Sequence, residues 1–359
     1  MPKKTYILGV ESSCDETSVA IVTRNNKDGK PLVLANIIKN QIDVHKSYGG
    51  VVPELAARAH SDVIDLLVET ALKKAKLKLR NISAVAATTG PGLLGGLLVG
   101  VIAAKTLSSV LKIPFISINH LEGHALSAQL EQDISFPYLL LLVSGGHTEY
   151  TIVKKFNQYQ RIGTTVDDAL GEAFDKTARL LKLGYPGGPQ IEKLALAGDE
   201  GKYELPKPLI NEKNCYFSFS GLKTSVAQLV NKQKRLTPQI KRDIAASFQK
   251  TIGDIIKVKT KNAISEFKKI INPKKINIVV AGGVAANQYL KKSLSNLEQT
   301  NDVKVFFPSM QFCTDNGAMI AYAGLLRYEK KMYSKLSVKP KPRWPLDEKA
   351  VFVKGKGIR

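Results

Sequence analysis

Two stretches decide how this chain folds: YILGVESSCDETSVAIVT (residues 6–23) and YLLLLVSGGHTEYTIV (residues 138–153). Each has an apolar run, a short polar turn, and a second apolar run with Ile-Val near its end. Tyr6–Val10 and Ser18–Thr23 flank the turn Glu11 to Thr17, and Tyr138–Val143 and Thr148–Val153 flank Ser144-Gly145-Gly146-His147. Between and after them strands alternate with long helical patterns. The chain therefore reads as α/β with a duplicated core of two lobes facing each other. Its 359 residues are enough for two hydrophobic cores.

Working outward, Pro53 to Lys74 reads as one amphipathic helix, with Pro53 in the first turn where its missing N–H costs nothing. Ala84–Thr88 is a buried strand leading to a glycine-rich turn and an apolar helix. The apolar run Leu93–Ala104 stops at Lys105 and is too short to span a bilayer. Pro114–Ile118 is a strand, and His120 to Leu130 is helical. Gly184 to Pro189 breaks a helical region as a rigid loop. Thr237 to Lys269 is one or two long helices, and Ile276–Ala281 and Val303–Phe307 are strands. Asp315 to Lys330 is an apolar helix with Thr314 as its N-cap. The segment from Lys331 has nine basic residues, two acidic residues and three prolines, and reads as extended.

Composition narrows the class. Hydrophobic residues make up 44% and charged residues 23%, the balance of a globular protein. No signal peptide is visible, which points to the cytoplasm. Cys14, Cys215 and Cys313 have no Cys-x-x-Cys spacing, so they read as free thiols rather than a disulfide framework or zinc ribbon. A formal net charge of +22 attracts polyanions such as RNA. The 43 Lys against 10 Arg temper that reading, because nucleic-acid readers favour the planar guanidinium.

Three glycine turns close apolar strands or loops: Ser144–Gly146, Gly187-Gly188 and Gly282-Gly283. Clustered backbone N–H groups bind phosphate or carboxylate oxygens, although most glycine turns only reverse the chain. His120-Leu121-Glu122-Gly123-His124 puts two imidazoles four residues apart on one helical face. They form either a metal clamp or a capping and packing pair. A zincin needs glutamate next to the first histidine. Glu122 is rotated about 200° from His120, so it faces away from any metal. Gly90-Pro91-Gly92-Leu93-Leu94-Gly95 imitates a dinucleotide fingerprint, but the next strand ends in Asn119 and His120 rather than a ribose-binding acid. Close packing through Gly95, Gly96 and Gly100 is the alternative. Asp15 and Glu16 on the first turn are candidates for accepting a proton, for binding a regulatory metal, or for shaping the turn. His147 reads as a satisfied turn histidine or, alternatively, a substrate contact, and His45 and His60 receive no role.

Taken together, the motifs resemble one family. They are Gly9 to Thr17, the His120/His124 segment, Val143 to Glu149, Gly171 to Lys176, Tyr185 to Pro189, Phe217 to Thr224, Ala281 to Asn287, and Thr314 to Gly317. From about Tyr6 to Tyr328 they are similar to the bacterial tRNA threonylcarbamoyladenosine transferases, TsaD, formerly labelled O-sialoglycoprotein endopeptidases. The resemblance implies a two-lobed actin-like, sugar-kinase-like and Hsp70-like (ASKHA, duplicated RNase H-like) fold. It implies a lobe of residues 1–118 with 315–330, a lobe of 119–314 carrying the substrate loops, and a basic tail at 331–359. It also implies that His120, His124 and Asp315 hold one divalent metal, Fe2+ or alternatively Zn2+. Leu142, Val143, Ser144, Gly145, Gly146, Asp175, Gly188 and Asn287 would contact the adenylate substrate.

The implied reaction moves threonylcarbamoyl from threonylcarbamoyl-AMP to N6 of the adenosine 3′ of the anticodon, position 37, in tRNAs reading ANN codons. AMP leaves. That amine is a poor nucleophile, so catalysis must supply position and a polarised electrophile. Implied partners are tRNA, an inactive TsaB-like paralogue, a small TsaE-like ATPase and an upstream donor-making enzyme, with no membrane. The competing readings are an ATP-binding scaffold or ATPase of the same fold and, disfavoured by Glu122, a metalloendopeptidase.

Overall fold

β1 (Ile7–Glu11) pairs antiparallel with β2 (Glu16–Arg24), and β2 with β3 (Pro31–Asn40). On its other side β1 runs parallel to β4 (Ala84–Gly90), and β4 to β5 (Phe115–Asn119). The sheet order is β3-β2-β1-β4-β5. The second hairpin repeats it: β6 (Tyr138–Val143) is antiparallel to β7 (Thr148–Lys155), which is antiparallel to β8 (Gln158–Thr164). β6 is parallel to β9 (Ile276–Ala281), and β9 to β10 (Val303–Phe306). Read from the other edge, the order β8-β7-β6-β9-β10 matches the first sheet strand for strand. The computed structural model describes residues 4–299 and 302–351.

The chain divides into two units, Met1–Ile134 with Pro308–Glu348 and Ser135–Phe307 with Lys349–Arg359. The boundary expected at 118/119 is therefore displaced: the His120–Leu126 helix and residues 308–314 belong to the first unit. The reason is packing. A Cβ on Gly123 would lie 2.9 Å from Ile320 Cδ1, so the His120–Leu126 helix sits against the Gly317–Glu329 helix. Nor are residues 331–348 a separate tail. Ser334 N–H donates to the Phe115 carbonyl (2.9 Å), Lys341 N–H to that of Thr89 (2.7 Å), and Asn119 Nδ2 to that of Trp344 (3.1 Å). The segment is a strap across the ends of β4 and β5. The last residues of the expected tail, 352–359, lie outside the described residues.

Three helix expectations change. Pro53–Ser61 and Ile64–Ala75 are two helices, separated at Asp62 and Val63. The apolar helix does not stop at Lys105 but spans Leu94–Leu111, and its 18 residues are long and apolar enough to cross a membrane. The short-length argument therefore fails. What the structure shows is one face against the first sheet, with Gly96 and Gly100 pressed on Ser12 and the Ser12 hydroxyl donating to the Gly96 carbonyl (2.9 Å). The third helix begins at Gly317 rather than Asp315. Its N-cap is Asn316, whose Oδ1 accepts from Met319 N–H (3.0 Å). That leaves Asp315 outside the helix, just before its cap. Thr237 to Lys269 is one helix, Pro238–Ile271, with Thr237 capping Ile240 N–H.

Both cores follow from the strand sequences. β1, β4, β5 and β6 are buried along their whole length, as expected of strands covered on both faces. The Gly317–Glu329 helix lies close on the first sheet because Gly9 and Gly317 set backbone against backbone and Gly324 makes room for the Ala86 methyl.

Candidate cation centre and glycine turns

Asn119 ends β5 and caps the next helix, its Oδ1 accepting from Leu121 N–H (2.8 Å). The cap fixes where that helix starts, and hence where His120 and His124 project. The close approach of the Gly317–Glu329 helix brings Asp315 to the same place. Nε2 of His124 lies 3.0 Å from Asp315 Oδ1, and Nε2 of His120 lies 3.4 Å from that oxygen. The ligand atoms of the three residues all fall within 4.8 Å of one another.

Behind His120 stands a residue read in the sequence only as part of a turn. Glu11 is the last residue of β1 and fully buried. Its Oε2 is 3.0 Å from His120 Nδ1 and accepts from the Thr88 hydroxyl (2.5 Å), while Oε1 accepts from Ser13 N–H (2.6 Å). A carboxylate can only accept here, so His120 Nδ1 carries a proton and Nε2 is the nitrogen that faces Asp315. The signal for Glu11 was present: a lone acid ending an otherwise apolar buried strand must be paired.

Burial and three neighbouring carboxylates, Glu11, Glu16 and Asp315, set the electrostatics here. Burial opposes a charged His120, but Asp315 and Glu11 outweigh it and hold its pKa well above the usual histidine range. Burial pushes the Asp315 carboxyl up, yet His120 and His124 win and hold it low. Burial, then Asp315 and Asp15, push Glu16 well above the ordinary carboxylate range. His124 Nδ1 is buried with no hydrogen-bond partner. Two imidazole nitrogens converging on one carboxylate oxygen, with a spare negative charge behind, fit a divalent cation of the iron or zinc type.

Glu122 does not join the set. It is fully buried and its Oε2 accepts from Arg327 Nη2 (2.7 Å) and Nε (3.0 Å). The dinucleotide-like glycines are also accounted for. Cβ positions on Gly92 and Gly96 are taken by the Ser13 and Ser12 carbonyls, and that on Gly90 by Lys341, leaving no room for a pyrophosphate.

The second unit holds the other expected residues. Leu142 and Val143 are core residues of β6, so they carry the turn rather than line it. Ser144 N–H is spent on the His147 carbonyl (2.8 Å), while Gly145 and Gly146 are exposed. The Leu170–Leu180 helix presses on this turn through Gly171, whose Cβ would lie 2.8 Å from Ser144 O. Asp175 Oδ1 accepts from Gly187 N–H (2.8 Å), fixing the start of the Gly187–Ala195 helix and presenting Gly188. Asn287 is largely committed, its Oδ1 capping Leu290 N–H (3.0 Å) and its Nδ2 donating to Gln249 Oε1 (3.0 Å). Gly145, Gly146, Gly188 and Gly283 have nothing within 4 Å of an added Cβ. Bare backbone at turns and at a helix start is the usual form of an anion site.

Fold and sites define a duplicated α/β protein with an N/N/O centre suited to a divalent cation in one unit and bare glycine turns suited to an anion in the other. The family model described as "TsaD: tRNA N6-adenosine threonylcarbamoyltransferase" matches residues 32–322. A protein of that name from Pelagibacter ubique (strain HTCC1062) is 52% identical over 359 residues, 100% of each chain. Its namesake from Brucella ovis is 50% identical over 354 residues, 98% of each. The chain belongs to the tRNA N6-adenosine threonylcarbamoyltransferase family. Among solved structures, T. kodakarensis HypF aligns with TM-score 0.62 and 14% identity, covering 93% of this chain and 49% of that one. A full-length HypF in phosphate- and nucleotide-bound form aligns with TM-score 0.59 and 15% identity, covering 93% and 48%. These likenesses establish a shared fold.

Proposed function

We infer that the chain transfers threonylcarbamoyl from threonylcarbamoyl-AMP to N6 of the adenosine 3′ of the anticodon, position 37, in tRNAs reading ANN codons, with release of AMP. Identity of about half along the full length to enzymes of that name supports it. We take the fold to be the actin-like, ASKHA type, in keeping with the matched pair of five-stranded sheets.

The metal-assisted form of the reaction is carried by one observation, the convergence of His120 and His124 Nε2 on Asp315 Oδ1. These three residues would hold the cation, Fe2+ or alternatively Zn2+, with Glu11 holding the His120 tautomer. When bound, such a cation polarises a carbonyl and offsets charge on a departing phosphate. The Gly145, Gly146 and Gly188 amides would hold phosphate charge through N–H groups that need no reorganisation. Asp175 orders the Gly188 turn through Gly187. Asn287 would orient the adenosine side through its helix cap. Asp15 and Glu16 are the candidates to take the amine proton. Burial, then the neighbouring Asp315 and Asp15 carboxylates, push Glu16 above the ordinary carboxylate range.

tRNA is the acceptor, and a net charge of +22 favours its phosphates. The anticodon loop is single-stranded, so its base can be swung out without opening a duplex. We propose that the chain works in the cytoplasm, with a TsaB-like paralogue, a TsaE-like ATPase and a separate donor-making enzyme. The exposed apolar side chains Leu94, Leu98, Ile102 and Val110 on one helix are a surface for such a protein partner.

The test is to mix purified protein, preformed threonylcarbamoyl-AMP and an unmodified tRNA transcript, with and without partner proteins, and to weigh the nucleosides. A donor-dependent mass increase on the adenosine at position 37 is expected. No product under any partner combination, from protein with full metal content, overturns the reading.

A further inference from the structure

Two fully buried imidazoles, His45 and His60, take no part in the cation set. With Gln41 they form a hydrogen-bond chain whose proton order has one solution. At one end Val52 N–H donates to His45 Nδ1 (3.3 Å), so that nitrogen carries no proton. The His45 proton is then on Nε2 and is donated to Gln41 Oε1 (3.1 Å). This fixes the amide, whose Nε2 donates to the Ala56 carbonyl (3.3 Å) and to His60 Nδ1 (3.2 Å). A carbonyl only accepts, so the assignment agrees from both sides. The Thr17 hydroxyl also donates to His60 Nδ1 (2.7 Å). The His60 proton is on Nε2 and is donated to the Cys14 carbonyl (3.1 Å). Gln41 adds its own backbone N–H to the Asp15 carbonyl (3.0 Å).

The chain thus ends on Cys14, Asp15 and Thr17, three residues of the turn that bears Asp15 and Glu16. That turn crowds carboxylates together, and hydrogen bonds to its backbone hold it against their repulsion. Burial lowers the basicity of His60, which keeps its Nδ1 an acceptor.

We propose that His45, Gln41 and His60 are positioning residues that set the Asp15–Glu16 turn for the transfer reaction. The proposal rests on the reading that this turn serves the acceptor amine, and two experiments separate the two claims. Imidazole 15N NMR of the full-length protein should show His45 and His60 both as Nε2–H tautomers; an Nδ1–H form of either overturns the proton order. In the transfer assay His60→Leu should lower kcat about tenfold, in the range of other supporting residues behind an active group. KM for tRNA and bound metal should stay within twofold. His60→Gln, which keeps a donor for the Cys14 carbonyl, should recover most of the loss. Should His60→Leu not fold, Gln41→Glu replaces it, because its carboxylate removes the donor to both Ala56 and His60 and should cost kcat similarly. Unchanged kcat in a folded His60→Leu or Gln41→Glu protein overturns the proposal, provided that Asp15→Asn or Glu16→Gln is impaired. If neither acidic variant is impaired, the reading of the turn itself fails.

Discussion

In the first unit the places beside Gly90, Gly92, Gly96 and Gly100 are already filled, by Lys341, Ser13, and Ser12 for the last two. In the second unit Gly145, Gly146, Gly188 and Gly283 stand beside open space. The strand order is the same in both. The hairpin turn of the first sheet carries Asp15 and Glu16, and that of the second carries Ser144 and two glycines. One copy therefore packs neighbours against these glycines and brings His120, His124 and Asp315 together. The other also packs Gly171, Gly187 and Gly282 tightly, but it leaves open space beside Gly145, Gly146, Gly188 and Gly283. A duplicated scaffold keeps one strand order but brings imidazoles and carboxylates together in one unit and leaves open glycine turns in the other.

This contrast can be broken. The double variant His120→Ala, His124→Ala should bind no metal and lose transfer about a thousandfold or more, since cation polarisation is worth several kcal/mol. It should remain folded, and metal analysis with the tRNA mass assay checks both; full activity without metal would end the mechanism. Glu11→Gln should weaken metal binding by about 10–100-fold, measured by chelator competition, because the carboxylate partner of His120 is lost. Gly100→Ala should cost about 1–3 kcal/mol in denaturant unfolding from overpacking against Ser12. Gly145→Ala should change stability by less than about 0.5 kcal/mol while raising KM for the donor roughly tenfold, about 1.4 kcal/mol of binding. Equal stability effects in the two glycine variants would erase the distinction.

Acid pH sharpens it further. His120 in the metal-free protein holds a proton more tightly than a free histidine, because Asp315 and Glu11 outweigh its burial. That charge stabilises the metal-free fold below the unfolded histidine value of 6.5, and the contribution is lost as pH rises through the raised folded value. A cation must displace that proton, so metal affinity should fall as pH drops, by up to about tenfold per unit. Chelator competition between pH 6 and 8, flanking that unfolded value, measures the slope; a flat profile would mean that His120 is not a ligand.

Much of this was legible in the sequence. Both hairpins were visible because their apolar runs are continuous and their turns polar, and the i, i+4 histidines marked one helical face. Asp315 was not legible from spacing, since Thr314 looked as good a cap as Asn316 and the convergence depends on glycine-mediated packing far along the chain. Glu11 was hidden as one more polar residue of a turn, and only the strand register shows it buried. Residues 331–348 looked like a basic tail because most of their contacts with the first sheet use their backbone carbonyls and N–H groups, which leave no apolar periodicity. His45 and His60 carry no motif; their order comes from fixed backbone donors and acceptors at each end.

The first unit is built from two segments, Met1–Ile134 and Pro308–Glu348, whereas the body of the second is an uninterrupted insertion between them. During synthesis the histidines emerge early, and their carboxylate partner follows nearly two hundred residues later. Asn119, which caps the histidine helix, waits longer still for the Trp344 carbonyl. The inserted unit can settle before Asp315 is made, whereas the cluster of His120, His124 and Asp315 cannot form until residue 315 has been synthesised.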